Sequence, residues 1–333
     1  MSRQIRPGNY SMKIVFHGKN ASTFRETMEE LLSDEHELVV LPDVLESAED
    51  IETYRSGDVI VGISFNKTTP VPHNLKLYQV PGAGYDGIDL EALPSTAALC
   101  NCFGHENAIA EYVFAALLAR HVPLAEADSG LRKGDWTWWA GGPARLRSEL
   151  GMQTIGILGF GHIGKTLAAR ARAFGMRMTV ANRSAVSVDG ADDVFTLDRL
   201  REFMGSADII VNTLPLAENT RSLIGEAELS AMRRDGIVVN VGRGAVIDEK
   251  ALYDALKEKH IGGAIVDTWY VYPNAENPAP QPSVLPFREL DNVVMTPHMS
   301  GWTFGTVQRR RQTIAGNINA IASGSTPENL IRR

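Results

Sequence analysis

Short apolar runs alternate with amphipathic stretches along almost the whole chain, and that alternation predicts strands interleaved with helices. Residues 12–16 read as a strand and residues 23–32 as a helix, with Ser22 or Thr23 placed to cap it. Residues 38–41, 58–63, 75–80 and 97–101 read as further buried strands. A second series opens with a long apolar helix at 108–120, then a strand at 154–158, a helix at 164–174 and a strand at 177–181. Strands at 208–212, 236–241, 263–267 and 293–295 follow, with a helix at 250–259 among them. The proline-rich stretch 273–286 reads as loop. A last helix near 306–322 comes after the second series has closed.

Strands that alternate with helices pair in parallel and are covered on both faces. The expected fold class is therefore α/β. A small flavodoxin-like domain over residues 1–104 is completed by 302–333, where the last helix packs back on it, and a Rossmann-like domain spans 105–301. A length of 333 residues suits two such domains.

Composition changes this picture only by exclusion. A net charge of −7 argues against a nucleic-acid surface, which needs a dense basic patch. Arg309-Arg310-Arg311 and Arg332-Arg333 read as solvated helix or tail charges. Cys100 and Cys102 read as packed thiols, since a bridge between residues that close needs unusual geometry. No metal-site spacing occurs. Arg3 and Arg6 have no apolar stretch behind them, which does not suit a signal peptide, and no apolar run approaches membrane-spanning length. A cytoplasmic protein without membrane contact is expected.

Gly159-Phe160-Gly161-His162-Ile163-Gly164 lies between an apolar run and an alanine-rich helix. In that setting the three glycines provide a tight turn, close approach of a pyrophosphate and close helix–strand packing, while the helix N-terminus offers N–H groups to the phosphates. The next strand ends at Asn182-Arg183-Ser184, where such units commonly carry an acidic residue for the ribose hydroxyls. Without a carboxylate a 2′-phosphate is not repelled, and Arg183 offers it charge-assisted hydrogen bonds. One such contact is worth on the order of 1.5–3 kcal/mol, about ten- to a hundredfold in preference. NADP is the expected cofactor. The alternative is that Arg183 is a surface charge and NAD is accepted as well.

Three strand ends carry further chemistry. Arg243, in Asn240-Val241-Gly242-Arg243-Gly244, is placed to clamp a carboxylate and polarise an adjacent carbonyl. His298, in Thr296-Pro297-His298, is placed to exchange a proton with an alkoxide. Asp267 is placed to accept from the nicotinamide amide.

With these motifs in order, the chain resembles the D-isomer-specific 2-hydroxyacid dehydrogenase family over almost its whole length. Further matching segments are Pro81-Gly82-Ala83-Gly84-Tyr85-Asp86, Asn107-Ala108-Ile109-Ala110-Glu111, Leu214-Pro215-Leu216 with Thr220, Gly225-Glu226-Ala227-Glu228-Leu229 and Val246-Ile247-Asp248-Glu249. The resemblance implies a substrate cleft at the hinge between two domains and a homodimer joined through the cofactor domains. It implies that the Ala83–Gly84 backbone and Arg243 hold the carboxylate of a small 2-oxo or 2-hydroxy acid, with His298 as acid/base. It places Leu214, Pro215, Thr220, Val241, Gly242 and Ser300 around the cofactor. In character it is nearest to the NADP-dependent reductases of glyoxylate and hydroxypyruvate.

One position departs from the family. Where it commonly has Asp-Val-Phe-x-x-Glu-Pro, with the glutamate paired to the histidine, this chain has Asp267-Thr268-Trp269-Tyr270-Val271-Tyr272-Pro273. A phenol can orient an imidazole by a hydrogen bond but cannot favour its charged form as a carboxylate does. Tyr272 or Glu276 is then left to support His298. The formate dehydrogenase branch has a glutamine there, and Ser300-Gly301-x-Thr303 faintly echoes that branch, but His105 stands where its formate-positioning asparagine belongs. His105 lines a cleft mouth or is a hinge residue. Trp136, Trp138 and Trp139 form a dimer contact, or one of them limits substrate size, as in related reductases of glyoxylate and hydroxypyruvate. The rival activities are oxidation of formate or another oxyanion through the altered Tyr272 site, and nicotinamide sensing by a regulatory protein on the same scaffold.

Overall fold

A computed structural model describes residues 11–141 and 145–332. Arg3, Arg6 and Arg333 lie outside the described residues. The chain divides into two compact units, one made of residues up to 104 with those from 303 onward, the other of residues 105–302. The first holds β1 (Lys13–His17), α1 (Gly18–Ser22), α2 (Met28–Leu31), β2 (Glu37–Leu41), α3 (Ala48–Arg55), β3 (Val59–Val61), β4 (Leu77–Gln79) and β5 (Ala98–Cys100). The second begins with α4 (Glu106–His121), α5 (Leu124–Leu131), β6 (Thr154–Leu158), α6 (His162–Ala173), β7 (Arg177–Asn182) and β8 (Asp193–Thr196). It continues through α7 (Leu200–Gly205), β9 (Ile209–Asn212), α8 (Glu226–Leu229), β10 (Ile237–Asn240), α9 (Glu249–Lys257), β11 (Gly263–Val266) and β12 (Val293–Met295). α10 (Phe304–Ala322) and β13 (Leu330–Arg332) then complete the first unit.

The first sheet runs β13-β5-β4-β3-β1-β2, with only β13 antiparallel. Without β13 this is the flavodoxin-like order. The second runs β12-β11-β10-β9-β6-β7-β8, all parallel, the doubly wound order. Its inner strands β6, β9, β10 and β11 are buried at every position, which is why they read as unbroken apolar runs. Apolar side chains pack on both faces of each sheet. Both sheets thus have the parallel α/β character expected from the alternation.

Three local expectations are corrected. Of the helix read over 23–32 only α2 (Met28–Leu31) forms: α1 ends at Ser22, residues 23–27 are turn, and Thr27 takes a left-handed backbone (φ 57°) just before α2. Ser22 and Thr23 cap nothing, and their hydroxyls donate back to the Lys19 carbonyl at the end of α1. The basic clusters are not simply solvated. Arg309 Nε donates to the Gly104 carbonyl, Arg311 reaches the Thr23 carbonyl and Glu26, and Arg332 donates to the carbonyls of Leu90, Leu93 and Pro94.

Cys100 and Cys102 are free thiols in the core of the first unit, two residues apart and so on one face. Burial pushes both thiols up to about 12, so neither is a nucleophile at neutral pH. No single helix among the described residues is long and apolar enough to cross a membrane. Among the same residues no group of three or more His, Cys, Asp or Glu side chains is placed to hold a metal.

Candidate functional site

The strand order of the second sheet reverses between β6 and β9, and the glycine loop leaves β6 at that point. Doubly wound sheets open a crevice there, at the carboxyl ends of the strands. Gly159 has φ 93°, a backbone that side chains rarely adopt. A Cβ on Gly164 would collide with the Gly159 carbonyl, so α6 starts hard against the strand end. A Cβ on Gly161 would meet nothing within 4 Å, which leaves the face of the loop open. α6 begins at His162 with no side-chain cap and no acidic residue in its first turn, and Ile163 packs on the core beneath. An uncapped, dipole-positive helix start behind an open glycine face fits the pyrophosphate of a dinucleotide.

Phe160 N–H donates to Asn182 Oδ1 at 3.3 Å, and Asn182 Nδ2 donates to the Ser184 carbonyl at 3.2 Å. Asn182 thus ties the glycine loop to the turn after β7. Arg183 stands exposed beside it, in no ion pair among the described residues. On the other side of the switch point, Leu214 packs where a Gly159 side chain would stand. The Thr220 hydroxyl donates to the Pro215 carbonyl at 2.8 Å and accepts from Ala217 N–H at 2.7 Å, fastening the loop after β9.

Adjacent strands β9 and β10 both end in asparagine, in register. Fully buried Asn212 donates from Nδ2 to Asn240 Oδ1 at 2.9 Å and accepts from Leu214 N–H at 3.1 Å. Asn240 Nδ2 donates to the Arg243 carbonyl at 3.2 Å. The pair sets the backbone of Val241, Gly242 and Arg243 as it leaves the sheet. Arg243 is half-buried, with Nη1 donating to the Gly242 carbonyl at 3.0 Å. Asn212 escaped the sequence reading, although two apolar runs each closing on asparagine were a visible signal.

Asp267 is fully buried at the end of β11 and organises the turn that carries His298. Its Oδ1 accepts from Thr296 Oγ1 at 2.6 Å and Met299 N–H at 2.9 Å, and its Oδ2 accepts from Ser300 N–H at 2.9 Å. Thr296 Oγ1 has given its one proton to Asp267, so Tyr112, at 2.7 Å, donates to it. These bonds hold His298 in a left-handed backbone, φ 58°. Three of the carboxylate's four acceptor positions are thus filled.

The His298 side chain is exposed, and its Nδ1 lies 3.0 Å from the Tyr272 hydroxyl. That hydroxyl also accepts from Trp269 N–H at 3.0 Å, while Trp269 Nε1 donates to the Thr296 carbonyl at 2.8 Å. The phenol is therefore fixed from both sides of the turn, and it engages Nδ1 of the imidazole. Glu276 sits in the exposed loop, with no side-chain hydrogen bond or ion pair among the described residues. His105 is buried at the start of α4, its ring packed where Gly301 leaves room and its Nδ1 3.8 Å from Glu106.

In the first unit, the loop after β4 carries Pro81 to Gly84. Cys102 N–H donates to the Gly82 carbonyl at 2.9 Å, and Asn101 Nδ2 donates to the Ala83 carbonyl at 2.7 Å. A trans peptide sets N–H opposite C=O. The N–H groups of Ala83 and Gly84 accordingly point away from 101–102, and neither is donated to another described group. Two adjacent N–H groups aimed one way form a nest for an anion.

A sequence profile of the D-isomer-specific 2-hydroxyacid dehydrogenase NAD-binding domain matches residues 114–300. The chain is 35% identical over 265 residues to a glyoxylate reductase of Aeropyrum pernix, covering 78% of this chain and 77% of that one. It is 30% identical over 325 residues to a glyoxylate reductase of Thermococcus kodakarensis, covering 91% and 92%. A solved acyclic imino acid reductase, in complex with NADPH and D-Arg, superposes with TM-score 0.78 at 29% identity over 96% of this chain and all of that one. On its fold, its motifs and these matches, the chain belongs to the D-isomer-specific 2-hydroxyacid dehydrogenase family of NAD(P)-dependent oxidoreductases.

Proposed function

We propose that the chain reduces a short 2-oxo acid, glyoxylate- or hydroxypyruvate-like, with NADPH. The observation that carries this reading is the exposed His298 imidazole, locked by Asp267 and Tyr272 at the carboxyl edge of the sheet that bears the glycine loop. The named activity of the Aeropyrum and Thermococcus relatives supports it. In this reading residues 105–302 bind the dinucleotide, and the Ala83 and Gly84 N–H pair takes the substrate carboxylate. The bound dinucleotide supplies the hydride. Arg243 polarises the carbonyl and steadies the oxyanion, and His298 gives the proton from Nε2 while Tyr272 holds Nδ1. A panel of 2-oxo acids, run with NADPH and NADH, tests the reading. Intact cofactor binding with no turnover anywhere on the panel would favour nicotinamide sensing instead.

The cofactor preference rests on Arg183. NADPH is expected to be the better reductant, and Arg183→Ala to weaken NADPH by about ten- to a hundredfold relative to NADH. Equal kcat/KM for both cofactors in the native protein contradicts this.

Tyr272 sets the pH behaviour. Reduction consumes the imidazolium proton, so kcat falls as pH rises through the histidine titration. A carboxylate beside the ring favours the charged form, so Tyr272→Glu is expected to move that fall to higher pH by about one unit. Tyr272→Phe should lower kcat and leave the fall where it was. If Tyr272→Glu leaves the fall in place, the phenol is not the group that faces the ring in solution.

Two observations favour a second substrate class for the same hydride step. The Tyr272 phenol at His298 Nδ1 is neutral, and the imino acid reductase is among the structural relatives. A 2-imino acid arrives already protonated on nitrogen and asks no proton of His298. Faster NADPH oxidation when methylamine is added to the 2-oxo acid panel would select it.

We also infer a homodimer through the second unit. Leu124, Leu131, Trp136, Trp139, Leu146 and Met152 are all exposed in this chain, too many large apolar side chains in 29 residues for an ordinary monomer surface. Arg145 covers the face of Trp138 at 5.2 Å. Sedimentation velocity should give a dimer, and Leu124→Asp with Trp139→Asp a monomer. A native monomer overturns the inference.

A further inference from the structure

The three consecutive arginines of α10 fan around the helix, about 100° apart, and so meet different neighbours. Arg309 caps the Gly104 carbonyl at 2.7 Å, and Arg311 reaches the Thr23 carbonyl at 2.6 Å and Glu26 at 2.8 Å. These three bonds staple the helix to its own unit. Arg310 lies between them in sequence and comes up beside the loop that bears the N–H nest. Its Nη1 stands 4.0 Å from where a Gly82 side chain would begin. It is close enough to the buried Cys102 thiol to oppose the upward push of burial on that group. Gly82 and Cys102 are themselves joined by the hydrogen bond that turns the nest outward. The guanidinium therefore lies beside Gly82 and Cys102, half-buried, where its charge is less screened than in open solvent.

We propose that Arg310 is a specificity-determining cation of the 81–84 loop, which adds a fixed positive charge to the Ala83 and Gly84 N–H pair and so selects substrates by their carboxylate. The proposal rests on reading that loop as the carboxylate site. A guanidinium serves here better than an ammonium, because its planar fork keeps its orientation when packed against backbone.

The test uses oxalate, a small dianion that mimics a 2-oxo acid, titrated calorimetrically into the NADP-loaded full-length protein. Arg310→Gln is expected to weaken oxalate about tenfold, the scale of one charge-assisted contact, and Arg310→Lys to recover part of the loss. With the best 2-oxo acid of the panel, Arg310→Gln should raise KM by a similar factor, with kcat and the KM for NADPH unchanged. A role confined to bracing the helix would instead lower thermal stability and shift all three parameters together. Native protein that binds oxalate, with Arg310→Gln binding it equally well, overturns the proposal and leaves the carboxylate loop standing. Native protein that binds no oxalate overturns both.

Discussion

Replacing His298 with alanine is expected to lower kcat/KM for the best 2-oxo acid by at least about a hundredfold, the usual scale for a lost proton donor. In the proposed reading the imidazole is the proton donor, with Nδ1 on Tyr272, and alanine removes it without disturbing the buried Asp267 bonds to residues 296, 299 and 300. Cofactor affinity, read by NADPH fluorescence, should survive. Arg243→Ala is expected to cost a comparable factor, through loss of oxyanion stabilisation. The Asn212–Asn240 pair holds the Arg243 backbone through main-chain contacts, so the loop should keep its shape in that variant. Normal turnover by both variants would place the chemistry elsewhere.

Asp267→Asn is expected to be the most damaging isosteric change in the molecule. The carboxylate accepts three hydrogen bonds at full burial. An amide offers one oxygen, and its NH2 must face a backbone N–H, donor against donor. Leaving a buried N–H unsatisfied costs about 1–3 kcal/mol, and the lost charge on the remaining bonds adds to this. The left-handed backbone of His298 is itself held by those bonds and favours release of the turn. A loss of about 3 kcal/mol in urea unfolding is expected, together with a fall in kcat of at least about tenfold through misplacement of the imidazole. A stability change within about 0.5 kcal/mol, the range of an ordinary surface substitution, would show that the buried carboxylate does not organise the turn.

Much of the fold was legible for one physical reason. Parallel strands covered on both faces become continuous apolar runs, so β6, β9, β10 and β11 stood out. The strands that escaped were the half-exposed edges β8 and β13, where no strong pattern is imposed. The turn at 23–27 escaped because the period of the apolar positions does not register it, while the backbone does, ending in the left-handed Thr27.

The site divides along the same line. Glycine loops, strand-end arginines and strand-end histidines announce themselves, because their local geometry dictates residue type at short spacing. The contacts that fix them are set by register between strands far apart in sequence. Asn212 meets Asn240 only because β9 and β10 pair in that register, and Asp267 meets Ser300 only because β11 lies beside β12. The role of Arg310 depends on which way α10 is rotated over its sheet, and the sequence pattern alone made it an ordinary surface charge.

The central claim is hydride transfer from the nicotinamide to a 2-oxo carbon, and the most direct test follows the hydride itself. NADPH carrying deuterium at the transferable C4 position is incubated with the protein and glyoxylate or hydroxypyruvate, and the product is read by mass spectrometry and proton NMR. One deuterium on C2 of the resulting 2-hydroxy acid, formed in step with loss of NADPH absorbance, is the predicted result. NADPH that stays reduced beside every 2-oxo acid of the panel, or a 2-hydroxy acid formed without the label, would contradict the account.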